Sequence, residues 1–139
     1  MSSYSAIYSA VVTLIDSITG LTPSGMPLDF ESLSDATAPG PVGGLFLVRP
    51  LALAYGGDQG SNVDGGASFE VMFTWAHTPD PATRMGEALT RAETIRNKLL
   101  DDADLSVDCR FDVGDATFIY SADLIGCTIP FTALSYRST

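Results

Sequence analysis

The sequence predicts an α+β domain, a mostly antiparallel sheet of about four strands packed by two helices on one face. Three observations carry this. Two stretches space their apolar residues at helical intervals, others alternate apolar and polar residues one by one, and the two kinds are grouped rather than strictly interleaved. A chain of 139 residues with 45% hydrophobic content has enough apolar side chain for one core and too little length for two, so a single domain over residues 1–139 is expected.

The first helix is read in "SYSAIYSAVVTLIDSITG". Ile7, Val11, Leu14, Ile15 and Ile18 recur at i, i+4, i+7, i+8 and i+11, which places them on one helix face. Ser2 or Ser3 is suited to cap its start, and Gly20 to end it. Residues 21–43 hold four of the eight prolines. Proline lacks the donor that a ladder or a helix interior needs, so this is expected to be a long, flexible, extended connection, with room for a short edge strand near "LDFESL".

"GLFLVRPLALA" (44–54) reads as a strand, with Pro50 pointing to an edge or a bulge. The next stretch, 54–67, is expected to be a flexible hairpin tip, because glycine is costly to order. "ASFEVMFTWA" then sends Phe69, Val71, Phe73 and Trp75 to one face and Glu70, Met72 and Thr74 to the other. In "HTPDPATRMGEALTRAETIRNKLLDD", Asp80 is placed to cap a second helix and Pro81 fits its first turn. Met85, Ala88, Ala92, Ile95 and Leu99 form its apolar stripe, while Arg84, Glu87, Arg91 and Lys98 fall elsewhere, Glu87 four residues before Arg91 in the favourable order. An acidic connection follows over 101–115. Two strands close the chain, one around Phe118 and Tyr120, the other with Ile125, Cys127, Ile129, Phe131 and Ala133 on one face and Pro130 again marking an edge or bulge.

Charge narrows the function. Seventeen acidic against seven basic residues give a net charge of −10, which repels nucleic acid and anionic membrane. No run approaches the ~20 apolar residues of a membrane span, and the N-terminus lacks a basic segment followed by an apolar run, so a protein without a signal peptide, kept in the cytoplasm where it is made, is expected. Two cysteines are too few for a disulfide scaffold; both are expected as thiols, with Cys127 a core residue.

The stretch "AYGGDQGSNVDGG" (54–66) invites a phosphate or metal reading, and its residues argue against both. It has no lysine or arginine to meet a phosphate. Asp58, Asn62 and Asp64 are spaced for calcium, but the closing bidentate glutamate is missing. His77, the sole histidine, has neither a nucleophile motif nor a cysteine cluster for company and is read as the residue that ends a strand. No catalytic residue, metal or cofactor is expected. What remains is binding: Arg84, Arg91, Arg96 and Lys98 put four of the seven cations on one helix. Charge complementarity would set that helix against the acidic connection of another copy, a head-to-tail contact that closes into a ring when the rotation permits. Arg84, Glu87, Arg91, Lys98, Asp101 and Asp102 are the residues expected at such an interface.

The amphipathic first helix, the proline-rich connection, the hairpin with a long polar tip, the helix opened by "DPATRMGEAL", the acidic turn and the last strand "LIGCTIPFTALSY" together resemble the tail-terminator, or tail-completion, proteins of long-tailed bacteriophages. The likeness lies in length, element order and texture over nearly the whole chain. It implies a structural virion protein of the tail and neck, assembled in the host cytoplasm as a hexameric ring. Such a ring caps the tail tube, ends polymerisation of the tail tube protein and meets the head-tail connector protein, while DNA passes through the lumen without specific binding. It also implies a loop that orders on the tube, positionally matched here by Asp58, Gln59, Ser61, Asn62 and Asp64. Other readings stay open: another neck component (a head-closure or connector protein), a small enzyme or ligand-binding domain using Asp58, Asp64 and His77, or a small cytosolic binding domain.

Overall fold

The computed structural model describes residues 4–25, 28, 43–55, 63–101 and 110–136. The chain runs α1 (Tyr4–Asp16), β1 (Thr22–Pro23), β2 (Leu45–Tyr55), β3 (Val63–Ala76), α2 (Pro81–Leu100), β4 (Arg110–Val113), β5 (Thr117–Tyr120) and β6 (Leu124–Tyr136). The class is α+β. Six strands replace the expected four or so, in the order β1-β2-β3-β6, with β4 and β5 both along the far side of β6. Every pairing is antiparallel except β1 with β2.

Alternation in β3 decides which face is the core. Phe69, Val71 and Phe73 lie opposite Phe131, Ile129 and Cys127 of β6, and Val71 and Phe73 lie opposite Val48 and Phe46 of β2. Directly paired residues share a face, so three strands present one apolar surface. On it pack Ile7, Val11, Leu14 and Ile15 of α1 and Ala88, Ala92, Ile95 and Leu99 of α2, all in one buried cluster. Phe111 and Val113 of β4 and Phe118 of β5 extend it. Cys127 belongs to this core with no exposed surface, and burial pushes its thiol up to about 12.

The opposite face is not simply solvated. Glu70 is 9% exposed, Met72 4% and Thr74 0%. Glu70 lies across from Arg49 on β2 and pairs with its guanidinium, which satisfies a carboxylate otherwise costly to bury.

Pro50 and Pro130 sit where a missing donor does no harm. Ser24 N–H donates to Phe46 O, so β2 turns the backbone groups of Phe46, Val48 and Pro50 to its outer edge. There the Tyr8 hydroxyl donates to Val48 O at 2.9 Å, and the register shifts after Pro50. The edge-or-bulge expectation for Pro50 is met twice over. Pro130 differs from expectation: β6 is an interior strand with β3 on its other side. Its outward side faces the break between β4 and β5, where Gly114 N–H donates to Pro130 O and no amide from Pro130 is required.

Other boundaries depart from the sequence reading. β3 begins at Val63, so residues 63–67 are strand rather than hairpin tip, and β2 continues through Tyr55. Gly66 tolerates this place because a Cβ there would lie 3.3 Å from Leu134 Cδ2, a tight fit between strands. The segments 29–42 and 56–62 lie outside the described residues. Arg110–Val113, expected within an acidic connection, forms β4 because it finds the free edge of β6.

Candidate functional site

The middle of α2 brings together the residues with most to offer a partner. Its buried stripe runs from Ala88 to Leu99 and excludes Met85, which is 39% exposed. Asp80 does precede the helix, but in a left-handed conformation (φ 59°) that leaves its carboxylate off the backbone; it accepts instead from the Thr83 hydroxyl at 2.6 Å. Pro81 fills the first turn as expected, and Asp101 N–H closes the other end on Asn97 and Lys98 carbonyls.

The expected Glu87–Arg91 pair does not form. Glu87 accepts from Arg84 at 3.0 Å, one turn back, and both are about a third exposed. Arg91 instead lays its guanidinium over the ring of Trp75, 4.4 Å from the centroid. Gly20, at φ +90°, makes room on this ring: a Cβ there would come within 2.9 Å of Trp75 Cη2 and 3.6 Å of an Arg91 terminal nitrogen. Gly44, at φ +84°, crosses close to the Gly20 carbonyl, to which a Cβ would come within 2.8 Å. The end of α1, the start of β2, the end of β3 and the middle of α2 thus meet around one tryptophan. Among the described residues, the contact leaves Trp75 Nε1 and Arg91 Nε buried without an acceptor. Among the described residues Arg91 makes neither an ion pair nor a hydrogen bond.

Among the described residues, two apolar grooves lie at opposite edges of the sheet. One, of about 660 Å³, is lined by Tyr4, Tyr8, Leu51, Leu53, Ala67 and Phe69 beside the outer edge of β2. The other, of about 230 Å³, lies between α2 and β5 and is lined by Met85, Leu89, Phe118, Tyr120 and Ile125. Leu51, Leu53, Leu89 and Tyr120 are each 50% exposed. Neither groove gathers the convergent polar groups of a small-molecule site, and the Tyr8 hydroxyl is already committed to Val48.

Of the expected docking-loop residues, Asp58, Gln59, Ser61 and Asn62 lie outside the described residues. Asp64 is in β3, at the register shift between Val63 and Gly65, and so belongs to a strand rather than a loop. Of the expected interface residues, Arg84, Glu87, Arg91, Lys98 and Asp101 lie on α2 or its cap; Asp102 lies outside the described residues. His77 follows the last residue of β3, as expected, and its Nδ1 donates to Ser121 O at 2.6 Å, with Tyr120 tilted against the ring. A carbonyl can only accept, so Nδ1 carries a proton. No group of three or more His, Cys, Asp or Glu side chains is placed to hold a metal among the described residues. No helix of the described residues is long and apolar enough to cross a membrane.

The class these features define is an α+β scaffold with a cationic helix and two edge grooves. No family model matches the chain, and no curated protein matches its sequence.

Proposed function

We propose that the chain is a structural subunit of a long-tailed phage virion, a tail terminator whose ring caps the tail tube, ends its polymerisation and joins it to the head connector. The observation that carries the reading is a helix bearing Arg84, Arg91, Arg96 and Lys98 in a chain of net charge −10, set in the element order that resembles this family. A net cationic helix on an acidic subunit offers opposite charges to another copy of itself. Two apolar grooves at opposite sheet edges support the same reading, since a head-to-tail ring needs two different patches on each subunit. The acidic balance fits a lumen that lets DNA slide, because phosphates are repelled rather than held. In this reading the protein has no catalytic role and no cofactor, and it works in the virion neck after assembly in the host cytoplasm.

Native mass spectrometry over a concentration series tests the ring. A closed hexamer is the expected species, alone or on addition of tail tubes; a monomer under every condition, tubes included, overturns it. The docking loop has its own test. Replacing residues 56–62 with Asn-Gly leaves four residues between Tyr55 and Gly65, which are paired, and four-residue hairpin loops are common. That variant should melt like the parent and fail to join tails to heads, and normal joining would remove the loop from the mechanism.

A further inference from the structure

We infer that Arg91, held on Trp75, is a carboxylate receptor whose occupant is an acidic side chain of a second copy of this chain; the inference rests on the assembly reading above. The guanidinium carbon lies over the indole, 4.4 Å from the ring centroid, and Nε is buried without an acceptor among the described residues. The terminal nitrogens are not shut off in that way, and none of the described residues bonds them. An arginine so fixed has already lost much of the side-chain freedom that binding would cost, and it presents a fork that matches a carboxylate. Buried arginine and tryptophan are also the residues that tend to dominate protein contacts.

The charge balance selects the occupant. With 17 acidic residues against 7 basic, a second copy is rich in carboxylates, and the connection "DDADLSVDC" after α2 carries four of them without a cation. A phosphate backbone is the competing anion, but it would be repelled by the rest of the subunit. Gly20 is part of the device: its missing Cβ leaves the ring and the guanidinium close to the chain without a clash.

Trp75 is the only tryptophan, so its emission reports this site directly. The full-length protein is titrated with the peptide DDADLSVDS, which copies residues 101–109 with Cys109→Ser, and binding is followed by Trp75 emission and by calorimetry. Saturable binding that weakens at high ionic strength is expected, with a loss on the order of tenfold in Arg91→Gln and an intermediate loss in Arg91→Lys. Calorimetry is needed because replacing Arg91 changes the emission itself, and an unchanged melting transition shows that the variants are folded. No saturable binding, equal affinity in Arg91→Gln, or tighter binding of a short DNA duplex than of the peptide would each overturn the inference. Native mass spectrometry separates it from the ring. A hexamer untouched by Arg91→Gln removes the receptor and leaves the ring standing; peptide binding by a protein that never assembles removes the ring and leaves the receptor standing.

Discussion

Gly20 occupies a left-handed backbone conformation against Trp75, so alanine there meets two costs at once. The positive φ penalises any Cβ by roughly 1–2 kcal/mol, and contact at 2.9 Å forces the indole to shift. Gly20→Ala should therefore lower stability by about 1–3 kcal/mol in urea and move the Trp75 emission maximum; an unchanged midpoint with unchanged emission would mean the packing around the ring is looser than described. Cys127 makes a second residue-scale prediction. Burial raises its thiol from 9.0 to about 12, so between those values the unfolded chain releases a proton that the native protein keeps. That contribution to stability is complete below pH 9 and is lost as pH rises through 12. Cys127→Val, which removes the titrating group, should show a shallower alkaline fall than the parent. In Cys109→Ser, the native protein should leave its remaining thiol unmodified by a disulfide reagent at pH 8 and yield one equivalent only when denatured.

At the scale of the element, α2 separates stability from surface. Ile95 has no exposed area and lies in the shared core, so Ile95→Ala should cost about 2–5 kcal/mol. Leu89, on the same helix but half exposed, should cost within about 0.5 kcal/mol when replaced by alanine. Paired urea denaturation curves make the comparison, and similar losses at both positions would contradict this docking of the helix. The long alternating run of β3 and the apolar stripe of α2 were legible because each carries its period over many residues. β1 and β4 were not: two and four residues are too few to show a period, and Pro23 and Asp112 have little strand preference. They exist because an edge of β2 and an edge of β6 were free to be paired. The start of β3 was hidden for a related reason. Asp64, Gly65 and Gly66 read as a turn, and it is the pairing of Gly65 and Gly66 with β2 and β6 that carries the strand through them.

For the whole molecule, the decisive property is how charge and apolar surface are distributed. If copies associate through opposite charges and edge grooves, the assembly should loosen with salt and with a charge placed in a groove. Leu89→Asp should leave the melting temperature of the dissociated subunit within a few degrees of the parent and raise the concentration needed for ring formation at least tenfold; assembly indifferent to it, followed by sedimentation velocity, would exclude the α2–β5 groove from the contact.

What the sequence by itself determined is the α+β class, the helical stripes, the β3 alternation, the placing of Cys127 in the core and the concentration of cations on α2. Each of these follows from local spacing or composition, which need no partner to be read. The tertiary structure alone decided that Arg91 turns from Glu87 to Trp75, that Pro130 falls at the break between β4 and β5, and that the two apolar grooves lie at opposite sheet edges. Those facts depend on contacts between residues far apart in the chain, and a side chain's nearest partner through space is set by packing rather than by sequence spacing.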